Sequence, residues 1–354
     1  MADTVAIGML GSGFVAGFYA EALRDIPGTR LVANYSRSAE RAAEFGRAHG
    51  VPKQYESIEA LFADPNVQMV VIALPNHLHL EATRKAAAAR KAIVCTKPLA
   101  RNGDEAAQMV RLVRAAGVLN GYAETSVFSP DGMRMKSMVD SGAIGRVLTI
   151  RAREGHSGPH AAHFWDGDTA GGGALLDMGC HTVETARYLF GKEHPIKEVF
   201  AWGATLVHTD KTTADDNAVV LLRLEDGRMS VSEASWTAKG GMEIRNEVYG
   251  TRGRIVTDTT STSMRAFIEE PAGYLMEKAD AETGWVFPIQ DEARVYGYHE
   301  EMRHFVECFR EGREPRETFA DGYIVNCILD AAHRSMKTGR WEPVKVEAGL
   351  TPGA

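Results

Sequence analysis

Over the first third of the chain, short β-branched runs alternate with stretches of helical spacing. Parallel strands joined by right-handed crossovers produce this pattern. Residues 5–10, 30–35, 54–55, 69–73, 92–95 and 118–122 read as strands. Residues 14–24, 38–49, 80–89 and 103–116 read as helices, and 57–62 as a turn. The second helix keeps Glu40, Arg41, Glu44 and Arg47 on its wet side. The 69–73 run is apolar throughout, as suits a strand covered on both faces. Gly117 stops the last of these helices. From about residue 141 the pattern changes to longer alternating strands at 147–153, 198–207, 217–224, 229–236, 243–249 and 254–257. Asp226-Gly227 is a hairpin turn between two of them, so the second sheet is expected to be mainly antiparallel or mixed. Helices at 298–310 and 320–338 close the chain. No repeat, low-complexity tract or long linker interrupts it. Two domains follow, 1–123 and 124–354, in an α/β chain whose second sheet is large and open on one face.

Composition narrows the function classes. The 354 residues are 44% hydrophobic and 25% charged, which argues against disorder, collagen-like sequence and coiled coil. Lys plus Arg number 40 against 47 Asp plus Glu, and the net charge of −7 without a dense basic run speaks against nucleic-acid binding. The longest apolar run, around residues 69–74, falls far short of the roughly 18 residues of a membrane span, and the N-terminus lacks a signal pattern. A cytoplasmic protein with no membrane partner is expected. Cys95, Cys180, Cys308 and Cys327 lack CxxC spacing and read as reduced, buried thiols.

Gly11-Ser12-Gly13-Phe14-Val15-Ala16 follows the first strand and opens a helix, the context of a dinucleotide-binding turn. Gly11 permits the turn, and Gly13 lets the backbone approach a pyrophosphate lying on the helix N-terminus. Ser12, Phe14 and Val15 belong to the same cradle. At the end of the second strand a carboxylate normally holds the adenosine 2′-hydroxyl. Here Ser36-Arg37-Ser38 stands instead, and a planar guanidinium between two hydroxyls suits a 2′-phosphate. NAD(P) is therefore the expected cofactor, with NADP(H) favoured over NAD(H).

Three further segments complete a pattern: Pro75-Asn76-His77-Leu78-His79, Cys95-Thr96-Lys97-Pro98-Leu99-Ala100, and the run from Gly171 through Asp177 to His181. In this order and spacing the chain resembles the Gfo/Idh/MocA oxidoreductases from Val5 to about Trp341. The resemblance implies an N-terminal Rossmann domain and a C-terminal α/β domain whose open sheet mediates dimers or tetramers. It also implies a sugar or polyol substrate. Leu74, Pro75, Asn76, His77, Thr96 and Lys97 would line the cofactor. Lys97 matches the family lysine between nicotinamide and substrate, where an ammonium stabilises a developing alkoxide. Thr96 replaces the family glutamate that holds a cofactor ribose. His181 would be the general base and Asp177 its orienting or substrate-gripping partner. The two lie four residues apart, which on one helix places both on one face. Read without the resemblance, the same pair is a helix cap and a core histidine.

The loop Glu154-Gly155-His156-Ser157-Gly158-Pro159-His160, followed by His163 and Trp165, combines hydrogen-bonding groups with an aromatic wall, as sugar sites do. Gly158 and Pro159 break any helix that would align its histidines, and no cysteine or carboxylate spacing completes a zinc set, so no metal is expected. Tyr122 and Glu124 are placed at the substrate, and Trp236 in the core or a subunit interface. The expected reaction is hydride transfer between NAD(P) and a secondary alcohol of a sugar, glycoside or cyclitol. Two rivals remain: a glycosidase that oxidises a ring carbon transiently with retained cofactor, and a non-catalytic dinucleotide-binding regulator.

Overall fold

The computed structural model describes residues 4–260 and 264–353. In chain order the first elements are β1 (Val5–Leu10), α1 (Phe14–Arg24), β2 (Thr29–Tyr35), α2 (Ala39–His49), β3 (Lys53–Tyr55) and α3 (Ile58–Ala63). Next come β4 (Met69–Ile72), α4 (His79–Ala88), β5 (Ala92–Thr96), α5 (Gly103–Ala116) and β6 (Asn120–Ala123). The chain continues through α6 (Pro130–Asp140), β7 (Val147–Gly155), α7 (Gly167–Ala170), α8 (Ala174–Asp177) and α9 (Gly179–Phe190). Then follow β8 (Ile196–Ala204), β9 (Asn217–Leu224), β10 (Met229–Ser235), β11 (Glu243–Gly250), β12 (Arg254–Asp258), β13 (Ala266–Ile268) and β14 (Gly284–Val286). It ends with α10 (Glu292–Val295), α11 (Tyr298–Glu311), α12 (Phe319–Thr338) and β15 (Glu342–Pro343). Among the described residues no helix is long and apolar enough to cross a membrane.

The chain divides into two compact units. One holds the described residues up to Phe128 together with Gly297–Asn326 and those from Val346 on; the other holds Ser129–Tyr296 and Cys327–Lys345. The boundary expected after residue 123 lies close to the first division. The return of the C-terminal segments to the first unit lies outside that expectation.

The first unit is a parallel sheet in the order β3-β2-β1-β4-β5-β6. Its strand order reverses between β1 and β4, and in such sheets the crevice beyond the strand ends at that point takes the ligand. Ile7, Met9, Val70, Val71, Ile93 and Val94 are buried, each stabilising the sheet by roughly 1.5–3 kcal/mol. α11 belongs here because Tyr298 packs its ring on Phe18 and Tyr19, at centroid distances of 5.0 and 5.1 Å. Residues 57–62 are not a turn: Ser57 caps α3 by accepting the Ala60 N–H at 3.1 Å, so the local hydroxyl signal begins a helix.

The second unit carries a mixed sheet in the order β12-β11-β7-β10-β9-β8-β15. β10 and β7 pair in parallel and the other neighbours antiparallel. The Asp226-Gly227 hairpin joins β9 to β10 as expected, with Gly227 at φ 85°. One face is buried through Ala218, Val220, Leu222 and Leu224 and has α9 against it. The opposite face presents Phe200, Val219, Leu221, Val231 and the half-exposed Trp202 in register.

Candidate active site

In the first unit the cradle is made by backbone. Gly11 has φ +115°, and a Cβ there would stand 2.1 Å from the Ala73 carbonyl oxygen at the end of β4, so only glycine fits. The Gly11 amide donates to Tyr35 O at 2.8 Å, and the Ser12 hydroxyl donates to Ser36 Oγ at 2.9 Å, tying the turn to the end of β2. Gly13 precedes α1 with open space beside it. No side chain caps that helix and no acid lies in its first turn, so its amides suit a pyrophosphate. Phe14 and Val15, 43% and 37% exposed, add an apolar margin. Arg37 is exposed beyond β2, whereas Ser38 is engaged as the cap of α2, accepting the Arg41 N–H.

The loops after β4 and β5 carry the next residues. Leu74 and Pro75 are half-buried, and Asn76 is buried in a short 3-10 turn with His77. His79 ties the two loops together: Nε2 faces Leu74 O at 2.8 Å, and Nδ1 faces Pro98 O and Leu99 O at 3.1 Å each. Burial pushes its pKa down, and the carbonyls only partly oppose this. Thr96 ends β5, buried, and Lys97 follows half-buried at the carboxyl end of the strand. Tyr122 and Glu124 are buried beyond it. Glu124 accepts from the Ser126 hydroxyl at 2.5 Å and from Tyr122 OH at 3.3 Å. Deeper in, burial and then the charge of Glu124 hold the Glu301 carboxyl far above the usual range.

In the second unit the site is a network of side chains. A Cβ on Gly173 would lie 1.9 Å from Asp215 O, the carbonyl that accepts the Ala174 amide at 2.7 Å. The Asp215 carboxylate takes the Leu175 amide at 2.7 Å, so this residue starts α8 and sets where Asp177 falls. α8 ends at Asp177 and α9 begins at Gly179; Met178 between them keeps right-handed helical backbone, φ −101° and ψ −33°, and its amide donates to Ala174 O at 2.8 Å. Asp177 accepts the Trp236 indole N–H at 2.9 Å and has His156 Nε2 at 3.8 Å. His181 Nε2 lies 3.7 Å from Glu154.

The loop histidines separate. His156 is buried, and its Nδ1 accepts the Gly158 amide at 3.0 Å. Burial lowers its pKa, against the neighbouring Asp177 carboxylate, which raises it. His160 is exposed and pairs with Glu277 at 3.2 Å, and His163 lies over Phe164 at 4.4 Å. Trp165 packs edge-on against Trp236 at 5.4 Å, with Lys211 over its ring. Trp236 is fully buried, which bears out the core alternative. Sequence reasoning places Glu154 in the candidate sugar loop, and it stands as a carboxylate at an inward position of the alternating β7. It does not reach Asp215, Glu277 or the indole contact to Asp177.

Two family models match the chain. One, described as an oxidoreductase family with an NAD-binding Rossmann fold, covers residues 5–123, and the other, the GFO/IDH/MocA C-terminal domain, covers residues 133–256. Myo-inositol 2-dehydrogenase of Thermotoga maritima is 30% identical over 96% of this chain and 98% of its own. The trans-1,2-dihydrobenzene-1,2-diol dehydrogenase of Mus musculus is 33% identical over 93% and 96%. Among solved structures, GenD2 from gentamicin A biosynthesis in complex with NAD superposes with a TM-score of 0.91 at 28% identity, covering 98% of both chains. Levoglucosan dehydrogenase with NADH and levoglucosan gives 0.81 at 27% identity, over 97% and 100%.

Proposed function

The chain belongs to the Gfo/Idh/MocA oxidoreductase family, and on that premise we propose that it oxidises a secondary alcohol of a sugar, glycoside or cyclitol, or reduces the corresponding ketone. The observation that carries this reading is Lys97, placed at the carboxyl end of β5 in the doubly wound sheet, on a loop held by His79. The relatives support the substrate class: they are named for inositol, levoglucosan and a dihydrodiol.

A bound dinucleotide would supply the nicotinamide ring that exchanges hydride with the substrate carbon. Gly11, Gly13 and the first turn of α1 would hold its pyrophosphate, with Phe14 and Val15 beside it. The Lys97 ammonium donates a hydrogen bond to the reacting oxygen and stabilises its developing negative charge. During oxidation the carbinol C–H pair leaves as hydride, the C=O forms, and the hydroxyl proton passes to His181. Asp177 grips a neighbouring hydroxyl and His156 supports it. Ser36 and Arg37, with no carboxylate between them, favour a 2′-phosphate and hence NADP(H). The apolar face of the second sheet around Trp202 and Leu221 accommodates a second copy of the chain.

The test is a turnover assay with NAD+ and NADP+ across cyclitols, anhydrosugars and aldoses, followed by nicotinamide absorbance. Reduction of the cofactor in step with one polyol class is expected. Aglycone release without net reduction would replace the reading with the glycosidase, and tight cofactor binding without turnover on any class would replace it with the regulator. Light scattering that returned the 38.6 kDa of one chain would remove the second copy.

A further inference from the structure

Trp236 sits immediately after β10, its side chain fully buried in a cluster with Ala174, Met178 and Ala234 and packed by Phe164, Trp165 and Met242. An indole is a large apolar body with one donor and no acceptor. In an apolar cluster that donor is costly if left unmet, so its direction is constrained. It points to Asp177 Oδ2 at 2.9 Å. The backbone bearing it is fixed as well, for the Trp236 amide donates to Asp216 O at 2.8 Å. The Asp216 carboxylate in turn collects the amides of Leu206, Val207 and His208 at 2.8 Å each. The indole therefore reaches Asp177 from a rigid base.

The same carboxylate oxygen lies 3.8 Å from His156 Nε2. Because His156 Nδ1 accepts the Gly158 amide, the neutral ring carries its proton on Nε2, the nitrogen turned toward Asp177. The indole N–H thus bonds one oxygen of a buried carboxylate, and the His156 N–H stands 3.8 Å from the same oxygen, beyond hydrogen-bond length. The other groups around this point are Glu154 against His181, and Lys278 and Glu277 near His156. Of these, Lys278 is engaged in donating to Gly158 O, and Glu277 pairs with His160.

We propose that Trp236 is a positioning residue for the reaction: its indole N–H holds Asp177 in one rotamer as an anion, fixing the direction in which the carboxylate meets the substrate hydroxyl. The inference rests on the dehydrogenase reading for its kinetic consequence but not for its structural core. A hydrogen bond to the charged form favours that form, so removing it makes Asp177 protonate at higher pH.

Two variants separate the N–H from the bulk of the ring. Trp236→Phe removes the donor and some volume, while benzothienylalanine at the same position keeps the bicyclic volume and lacks only the donor. Both are expected to lower kcat about tenfold, leave the dinucleotide KM unchanged, and move the acid limb of kcat/KM to higher pH. A benzothienyl protein with unaltered kcat and pH profile would overturn the proposal, because bulk alone would then be sufficient. Nuclear magnetic resonance gives a readout without turnover. Of the five indole signals, the one lost in Trp236→Phe should lie downfield and move upfield in Asp177→Asn, where a neutral acceptor replaces the charge. If that signal responds but no polyol is oxidised, the dehydrogenase reading fails and the coupling stands. If polyols are oxidised and the signal ignores Asp177→Asn, the coupling fails and the reading stands.

Discussion

Each unit buries an imidazole at its candidate site, and the two are wired in opposite ways. His79 in the first unit faces only main-chain carbonyls, of Leu74, Pro98 and Leu99. His156 in the second accepts a main-chain amide at one nitrogen and turns the other to the Asp177 carboxylate. The contrast extends to the surroundings. The dinucleotide cradle is built from a glycine turn, uncapped helix amides and strand ends, whereas the second unit gathers Glu154, Asp177, Trp236 and His181 as side chains from β7, α8, α9 and the residue after β10. A site of backbone depends on which residues have no side chain. One built of side chains depends on which groups are present, so the two should break under different substitutions.

The largest effects should come from groups assigned to the reacting atoms. Lys97→Ala and His181→Ala are each expected to lower kcat by roughly 10² or more, since stabilising an oxyanion and moving its proton are transition-state roles. Dinucleotide affinity, carried by backbone, should stay within about twofold in both. His160→Ala and His163→Ala should mainly raise the substrate KM. Steady-state kinetics paired with cofactor titration checks all four. A His181→Ala protein with near-normal kcat, beside a His156→Ala protein that had lost it, would move the base onto the β7 loop.

Glycine substitutions sharpen the contrast at intermediate size. Gly11→Ala forces a methyl group to 2.1 Å from Ala73 O at φ +115°, and should cost roughly 1–3 kcal/mol of stability together with most of the dinucleotide affinity. Gly173→Ala meets Asp215 O at 1.9 Å and must displace the start of α8. It should destabilise comparably, yet reduce kcat through Asp177 while a folded fraction still binds cofactor. Calorimetric titration with thermal denaturation distinguishes them. Equal loss of cofactor affinity in both variants would mean that the two sites are not built independently.

This difference in material also explains what could be read from sequence. The cradle was legible because its determinants are local: an apolar strand, Gly11, Gly13 and a helix lie within twenty residues of one another. Ser57 was misread as part of a turn because a lone hydroxyl caps a turn and a helix alike. In the second unit the glycine run, Asp177 and His181 were visible as residues, but their partners were not. Asp177 meets Trp236 fifty-nine positions later, and Leu175 meets Asp215 forty positions later. Such pairings follow from strand order, which periodicity does not encode. The i, i+4 spacing of Asp177 and His181 suggests a single helix; they fall on two, α8 and α9, joined at Met178 through right-handed helical backbone.

Cofactor selection should respond more modestly. Arg37 is exposed at the end of β2 beside Ser36, and no carboxylate stands there for a ribose hydroxyl. Arg37→Asp should shift the ratio of NADP+ to NAD+ affinity toward NAD+ by about tenfold, since a carboxylate repels the 2′-phosphate and accepts from a free hydroxyl. Unchanged relative affinities would remove Arg37 from the site. Because the change lies in the backbone-built unit, kcat at saturating NAD+ should not fall.

The smallest effect is on stability against pH, and it returns to the two imidazoles. Burial holds the pKa of His79 and of His156 below the ordinary value of 6.5, so the folded protein keeps both neutral where the unfolded chain has begun to protonate them. Their contribution to stability is therefore complete above pH 6.5 and is lost as pH falls from there toward the folded values. His156 gains the compensating negative charge of Asp177 when protonated, whereas His79 has carbonyls to oppose its deeper burial. Melting temperature should thus decline from neutrality to about pH 5, and His79→Gln should flatten that slope more than His156→Gln does. The slope is the quantity to compare, because each variant also shifts the baseline by removing packing. A larger flattening from His156→Gln would show that the carboxylate beside it does not offset burial. The Asp177 carboxylate would then have to be engaged elsewhere, which would weaken the network that sets the second unit apart from the first.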